Sequence, residues 1–338
     1  MKRLLLLLPV LLVVLTSGCT MPELPGGIQL PFFSTGATYE SDIIIVKDLS
    51  AIPSSVRAGE NVRLVAYIEN MGDDAVPQKS IGLDEKLKDE DVVVQLYDHC
   101  EGLFQKSGIS VSCPSGVPGA DNTNCTFSKI LAGETMVVDW TLKAAKDVKL
   151  ETPCEFKVYV RYPYTTDGLT TLSFISQNEY KRQLEAGTFK TKSHYTTKGQ
   201  GPVKAYFTVN DQEPIPAASP GTDSYTSVSL DIHNMGYGFL ADPTSGKTGT
   251  KGPRIIKESF NLTIPGDTPI DAGNCELTEK DGHYVPNEDV KLIKDKRSLP
   301  CSLKIPADIN KEATFQLNAR VSYLYEFRKT AKVTVSPV

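Results

Sequence analysis

The feature that most constrains this chain is a strand-like alternation of apolar and polar residues that stops twice on the same tripeptide. YIENMGDDAV begins at Tyr67 and DIHNMGYGFL begins at Asp231, and both contain Asn-Met-Gly. Alternation with a period of two indicates a β-strand with one buried face. Because Asn and Gly tolerate positive φ, each tripeptide predicts a tight turn where the chain leaves a sheet.

The order of these alternating runs repeats along the chain. WTLKAAKDVKLETPCEFKVYVRYPY, from Trp140, aligns with CSLKIPADINKEATFQLNARVSYLY, from Cys301, and both end in Tyr-x-Tyr. Each copy is far longer than a solenoid repeat of about 20–50 residues, so each copy is expected to be a domain. Strands are predicted at 42–47, 61–70, 92–98, 134–142, 154–162, 169–175, 203–209, 227–234 and 256–264.

Short strands separated by turn residues predict an all-β chain made of two tandem immunoglobulin-like antiparallel β-sandwiches. The predicted boundaries are 41–184 for the first sandwich, 185–200 for a linker and 201–338 for the second sandwich. One brief helix is expected near the boundary, started by Asn178 and stopped by Gly187.

Residues 1–19 carry the pattern of an export signal. A short basic segment precedes an apolar run, Leu4 to Leu15, that is too short to span a bilayer. The run closes at Gly18-Cys19, which resembles the lipobox of prokaryotic lipoproteins and implies lipidation of Cys19, although Thr16 stands where leucine is usual. The alternative is ordinary signal cleavage without a lipid. Residues 20–40, rich in proline and glycine, are predicted to be a tether.

Export changes how the cysteines are interpreted. Without Cys19 the chain holds six, and an even number in an oxidising compartment predicts disulfides. Cys275 and Cys301 are the only two in the second half, so they are predicted to pair with each other. Metal binding is disfavoured because the chain has no Cys-x-x-Cys. The other four allow three connectivities, among which the sequence does not choose: Cys100, Cys113, Cys125 and Cys154.

Charge and hydropathy exclude some classes of partner. The 338 residues carry a net charge of −5 with both signs interspersed, whereas binding to nucleic acid requires a concentrated positive face. No second apolar run of spanning length follows the leader, so membrane attachment is expected only through the N-terminus.

The motifs predict no catalytic residue, no metal site and no cofactor. Residues 241–248, ADPTSGKT, resemble a relaxed phosphate-binding loop, but the GTKGPR that follows does not readily start the helix such a loop requires. The chain lacks His-Glu-x-x-His and Gly-x-Ser-x-Gly. The acidic stretch 84–92 and the polar group around Asp121 lack the spacing of a calcium loop. His233 is predicted to be solvated on the polar face of a strand.

Two sequons, Asn124-Cys125-Thr126 and Asn261-Leu262-Thr263, predict N-glycosylation at Asn124 and Asn261 in a cell that has the enzymes for it. Asn261 begins an apolar strand, so its side chain must point outward for a glycan to fit.

Four tyrosines occupy equivalent places near the ends of the aligned strands. One interpretation is structural, with hydroxyls that bond back to the chain as in a tyrosine corner. The other is an exposed aromatic platform for a sugar or a protein. The residues are Tyr162, Tyr164, Tyr323 and Tyr325.

The strands NVRLVAYIENMG and TSVSLDIHNMG resemble the adhesion-related, CARDB-like immunoglobulin-like domains of prokaryotic surface proteins. LAGETMVVDWTLKA is similar to the "Leu-x-x-Gly-Glu … Trp-x-Leu" strand of that family, with Gly133, Glu134 and Trp140 in place. The second copy departs from it, because it has Cys301 near the tryptophan position and no Gly-Glu. The resemblance implies the fold and a cell-surface location, and it transfers no catalytic residue. Its combination with the lipobox-like leader resembles archaeal surface proteins.

The sequence therefore predicts a non-enzymatic, lipid-anchored, extracellular structural or adhesion protein. Alternatives are a carbohydrate-binding surface module and an accessory or subunit of a surface filament. The expected partners are the membrane, through the anchor, and envelope proteins or surface glycans; assembly into a homo-oligomer stays open, and nucleic acid is not expected.

Overall fold

Strands make up most of the chain in the computed structural model, which describes residues 41–77, 91–217, 219, 222–243, 252–265 and 275–338. One α-helix, α1 (Gln177–Glu185), and a single 3₁₀ turn, Lys257–Ser259, interrupt them in these ranges. The strands are β1 (Ile44–Ile52), β2 (Ser55–Arg57), β3 (Asn61–Asn70), β4 (Val92–Asp98), β5 (Phe104–Ser112), β6 (Val117–Pro118), β7 (Asn124–Phe127), β8 (Thr135–Ala144), β9 (Thr152–Ile175), β10 (Thr196–Thr197), β11 (Val203–Val209), β12 (Ile215–Pro216), β13 (Tyr225–Asn234), β14 (Phe239–Leu240), β15 (Phe260–Thr263), β16 (Leu277–Lys280), β17 (His283–Pro286), β18 (Lys296–Lys304) and β19 (Glu312–Ser336).

Each repeat contributes one small antiparallel sheet. In the first repeat the strand order is β1-β3-β8-β5, and in the second it is β11-β13-β18. The period of two holds, because alternate residues of β3 and β8 are buried and those between them are more exposed, apart from the buried Val65. Trp140 of β8 is fully buried, and its Nε1–H donates to the carbonyl of Thr123 at 3.0 Å. The all-β sandwich fold predicted from the sequence is confirmed.

The two repeats also share one large sheet through their longest strands. Its order is β16-β17-β15-β19-β9-β4-β7-β6. β9 and β19 pair antiparallel without a break from Thr152↔Val335 to Ile175↔Glu312. Pro163 lies opposite Leu324, which is also its equivalent in the repeat alignment. The two repeats therefore cross at this pair, as expected if an approximate two-fold axis relates them.

The crossing places part of each long strand beside the other repeat. β9 pairs with β4 of its own repeat only as far as Arg161 and beyond that contacts β11. β19 pairs with β15 near its start and with β2 of the first repeat at its end. The described strands form one compact unit, which spans Tyr39–Val338. The boundaries 41–184, 185–200 and 201–338 stay a prediction, and Thr196–Thr197 within the predicted linker pairs with β9.

The strands predicted at 154–162 and 169–175 are a single strand in the structure. Pro163 lies beyond the last β4 partner, where its missing N–H costs no bond to that strand. Gly168 lets a neighbouring backbone approach, since a Cβ there would overlap the carbonyl oxygen of Ala205. Long-range pairing with β19 therefore overrides two local breakers.

The N-cap of helix α1 lies two residues before the predicted one. The cap is Ser176, whose hydroxyl accepts a hydrogen bond from the N–H of Glu179 at 3.3 Å, so the choice of Asn178 is wrong. The Ser-x-x-Glu spacing of a capping box was the signal in the sequence. Gly187, with φ of +64°, follows the helix end as predicted.

Both Asn-Met-Gly tripeptides end their strands through the asparagine side chain. Asn70 Oδ1 accepts a bond from the N–H of Gly72 (3.0 Å), and its Nδ2 donates to the carbonyl four residues on (2.8 Å). Asn234 makes the same two bonds, with Gly236 (3.3 Å) and with the carbonyl four residues on (2.9 Å). The asparagine thus replaces the next ladder bonds and turns the chain.

The prediction that these turns need positive φ is wrong. Neither the asparagines nor the glycines of the two tripeptides lie in the left-handed region. Glycine is needed for space instead, because a Cβ on Gly236 would overlap Oδ1 of Asp42 and lie 2.7 Å from Cβ of Pro202.

The four aligned tyrosines are buried where the repeats cross, and we call this group the tyrosine seam: Tyr162, Tyr164, Tyr323 and Tyr325. Tyr162 and Tyr325 rings are 5.8 Å apart, and Tyr164 and Tyr323 rings are 6.3 Å apart. The Tyr325 hydroxyl donates to Oδ1 of Asn234 at 2.9 Å. The seam therefore follows the structural interpretation, and its rings are not an exposed platform.

A buried carboxylate, Asp42, lies beside the seam. Its Oδ2 accepts a hydrogen bond from the N–H of Tyr237 at 3.0 Å, and Oδ1 has no hydrogen-bond partner among the described residues. Burial raises the pKa of Asp42 above its ordinary value, and the hydrogen bond from the N–H of Tyr237 lowers it by less.

Asp42→Asn is expected to gain stability relative to the wild type as the pH rises. Because the folded-state pKa of Asp42 is raised, its favourable contribution is fully present below its unfolded pKa, about 3.9, and is lost as the pH climbs through the folded value. Urea unfolding of both proteins between pH 4 and pH 7 measures this difference. A difference that stays constant across the range would show that Asp42 does not titrate with folding.

Candidate functional site, an arginine–aromatic face

The outer face of the shared sheet brings together two arginines and three aromatic rings from different strands. Arg161 of β9 lies opposite Glu326 of β19, which in turn lies opposite Phe239 of β14. Tyr159 lies opposite Arg328 in the next row. Directly opposed residues of antiparallel strands share a face, so these side chains point the same way. With Tyr97 of β4 they form the arginine–aromatic face: Tyr97, Tyr159, Arg161, Phe239, Glu326 and Arg328.

Glu326 holds the two guanidiniums in place from beneath. It is only 4% exposed, and Arg161 donates to its Oε2 from Nε (3.1 Å) and Nη2 (2.7 Å). Arg328 donates from Nε to Oε1 at 2.6 Å. Burial lowers the pKa of Arg328, but the hydrogen bond to Glu326 and the charge of that carboxylate raise it by more, so it stays above its ordinary value. A buried carboxylate with two cationic partners fixes their geometry.

The aromatic rings stack against these guanidiniums. Arg161 Cζ is 4.8 Å from the centre of the Tyr159 ring, and Arg328 Cζ is 5.5 Å from Tyr97 and 5.4 Å from Phe239. Tyr97 and Tyr159 are 5.6 Å apart with their planes tilted by 32°. Tyr97 is 39% exposed and Phe239 is 52% exposed. Burial raises the pKa of Tyr159, whose hydroxyl is paired with Oε1 of Gln95. The face is thus rigid, aromatic and open to solvent.

Sequence reasoning missed this face. The spacing of Tyr159 and Arg161, two residues apart in a predicted strand, did place both on the outer side. It could not show that Arg328 and Phe239 lie next to them, because that neighbourhood depends on how β9, β19 and β14 pair.

Other polar groups considered in the sequence are accounted for by local contacts. Asp121 is paired with Lys106 at 3.0 Å and accepts a bond from the N–H of Thr123, which together lower its pKa. The His233 ring stacks on Tyr206, with centroids 5.9 Å apart. Within the described ranges, no group of three or more histidine, cysteine, aspartate or glutamate side chains comes together as a metal site.

All six cysteines considered for disulfides are bonded in the structure. The pairs are Cys100–Cys154, Cys113–Cys125 and Cys275–Cys301. Of the three connectivities open to the first four, the fold uses the one that ties the end of β4 to β9 and joins β7 to the segment just after β5.

The two sequons differ in their surroundings. Asn261 lies between the buried Phe260 and Leu262, so it is on the outer face of β15. Asn124 is packed closely against Gly119, and its Oδ1 is buried. Glycosylation of Asn124 and Asn261 stays a prediction, and the outward position of Asn261 is the more accessible one.

Some predicted features lie outside the described residues. These are the signal sequence and Cys19, the tether, nearly all of the acidic stretch 84–92 and most of the loop 241–248. In the part that is described, no helix combines the length and the apolar character required to cross a membrane.

Comparison with known proteins found only distant similarity to solved structures. No protein-family model matches the chain, and no curated protein matches it significantly. The C-terminal domain of the Streptococcus pyogenes antigen I/II-family protein AspA is 10% identical, with 84% of this chain and 94% of that chain covered and a TM-score of 0.24. Enterococcus faecalis MSCRAMM ACE is 9% identical, with 89% and 97% covered and a TM-score of 0.19. The yeast delta-COP-I μ-homology domain is 9% identical, with 88% and 97% covered and a TM-score of 0.19. Such low scores carry no argument about function.

Proposed function

We propose that this chain is a non-enzymatic adhesion protein of the cell surface that binds an envelope partner through the arginine–aromatic face. The observation that carries the proposal is the preorganised pair Arg161 and Arg328, fixed by the buried Glu326 and flanked by exposed rings. Arginine and aromatic residues are enriched where proteins recognise partners, and a rigid face loses little entropy on binding.

Location at the surface is supported by the sequence and by the disulfides. The leader has the layout of an export signal, Cys19 stands at a lipobox-like position, and three disulfides are typical of an oxidising compartment. The resemblance to adhesion-related domains fits the same proposal. Mass spectrometry of the mature N-terminus would test the lipid anchor directly. A mature chain that still carries its leader, or whose Cys19 carries no lipid, would contradict the anchor.

The function is tested by displaying the full chain on host cells and counting the cells held by immobilised envelopes of the source organism. Arg328→Ala is expected to lower retention by about tenfold, which is the loss from removing a hydrogen-bonded charge at an interface. Arg320→Ala is the matched control, because Arg320 lies on the same strand, is similarly exposed and pairs with Asp167 away from the rings. The proposal would be contradicted if cells with Arg328→Ala were retained as well as cells with the wild type. It would also be contradicted if cells with the wild type were retained no better than host cells without the protein.

A further inference from the structure

The arginine–aromatic face places Arg328 of β19 between the ring of Phe239 on β14 and the ring of Tyr97 on β4, in the order of these strands across the sheet. The Arg328 guanidinium lies about equally far from Tyr97 and Phe239, at 5.5 Å and 5.4 Å, and all three side chains are exposed. A bound chain that lies along this line would meet an aromatic ring, a cation and a second aromatic ring in turn.

The outer edge of Arg328 is available to an anion. Among the described residues its hydrogen bonds engage Nε alone, through Glu326, and neither Nη group has a hydrogen-bond partner there. The two Nη groups of a guanidinium match the two oxygens of a carboxylate or sulfate ester. Because Glu326 already fixes Nε, an anion would bind a cation that needs no further ordering.

The charge around the face favours an anionic ligand. Arg161 and Arg328 carry two positive charges against the single carboxylate of Glu326. Charged residues on neighbouring strands and loops are paired with each other, Lys157 with Asp98 at 2.7 Å and Lys106 with Asp121 at 3.0 Å. The face is therefore locally positive although the whole chain carries −5.

The strands beneath the face disfavour a peptide added as a further strand. β9 lies inside the sheet order, so its backbone at Tyr159 and Arg161 already has strand partners on both sides, in β4 and in β19. Strand addition requires an unpaired edge. Recognition must use side chains, and the C–H faces of pyranose rings stack on exposed aromatic rings while the polar rims accept and donate hydrogen bonds.

From this geometry we infer that the ligand is an acidic polysaccharide, with a uronate-type carboxylate on Arg328 and neighbouring sugar rings on Tyr97 and Phe239. The inference rests on the proposed adhesion function and names the class of its partner.

Affinity electrophoresis of the purified full chain through gels that contain polygalacturonate tests the inference. Methyl-esterified polygalacturonate is the matched ligand, because it keeps the sugar chain and removes the charge. Binding to the acid polymer is expected to exceed binding to the ester by about tenfold, the scale of a charge-assisted bidentate contact. Arg328→Ala and Phe239→Ala should each weaken binding to the acid polymer by about fivefold or more. Arg320→Ala should leave it unchanged.

Poly-glutamate separates a sugar ligand from an acidic peptide. The sugar assignment would be overturned if poly-glutamate retarded the protein as much as polygalacturonate does and Phe239→Ala had no effect. Equal binding of the acid polymer and its methyl ester would overturn it as well.

Adding polygalacturonate to the envelope-retention assay distinguishes the two proposals. Retention that needs Arg328 but is not competed by the polymer overturns only the glycan inference, whereas retention independent of Arg328 overturns the adhesion site itself.

Discussion

Replacing Tyr323 with alanine is expected to lower the free energy of unfolding of the whole chain by about 3–5 kcal/mol, the usual cost of truncating a buried aromatic residue. Tyr323 is buried at the crossing of the repeats, 6.3 Å from both the Tyr164 and the Tyr325 rings. Its hydroxyl bonds with Oγ1 of Thr166 at 2.9 Å and accepts a bond from the N–H of Val203 at 3.2 Å. Alanine therefore removes packing and hydrogen bonds from both repeats together.

Tyr323→Phe is the matched control for this prediction. It keeps the ring and removes the hydroxyl, so it should cost about 1–2 kcal/mol, the range for leaving buried polar partners unsatisfied. Urea unfolding of the three proteins measures both values. An alanine variant no less stable than the phenylalanine variant would show that the seam is not tightly packed.

Removing the Cys100–Cys154 disulfide is expected to destabilise the chain more than removing Cys113–Cys125. The first bond spans a sequence separation of 54 residues and the second spans 12. The chain-entropy model then gives about 4 kcal/mol for the longer loop and about 3 kcal/mol for the shorter. The longer bond also ties the end of β4 to β9, two neighbouring strands of the shared sheet.

Double alanine variants at each pair, unfolded in urea without reductant, test this order. The Cys113–Cys125 pair serves as the internal control, since both bonds lie in the first repeat. A larger loss from the short loop than from the long one would show that loop closure does not dominate these bonds.

Several strands were readable from the sequence. The strands 61–70, 92–98 and 203–209 have the bounds that the structure gives, because most of their apolar residues recur with a period of two between turn residues. The repeat was readable as well, since both copies end in Tyr-x-Tyr. The aligned tyrosines proved to be the seam where the copies meet.

What the sequence could not show depends on contacts between distant residues. Pro163 and Gly168 are local breakers, yet pairing with β19 keeps β9 continuous through both. The arginine–aromatic face has the same origin, because Arg328 reaches Tyr159 only through that pairing. Sequence periodicity assigns a side chain to a face of its own strand, and strand order decides which side chains become neighbours.

The central claim is that β9 and β19 join the two repeats into one body, which carries the arginine–aromatic face. The only tryptophan of the chain, Trp140, is buried in the first repeat and reports on its unfolding by fluorescence. Phe207 is buried in the second repeat, and Phe207→Ala should cost about 3–5 kcal/mol. The account predicts that Phe207→Ala lowers the urea midpoint measured by Trp140 fluorescence as much as the midpoint measured by far-ultraviolet circular dichroism. Ile293→Ala, at an exposed position of the same repeat, should leave both midpoints unchanged. A Trp140 midpoint that does not move with Phe207→Ala would contradict it, because the two repeats would then unfold independently.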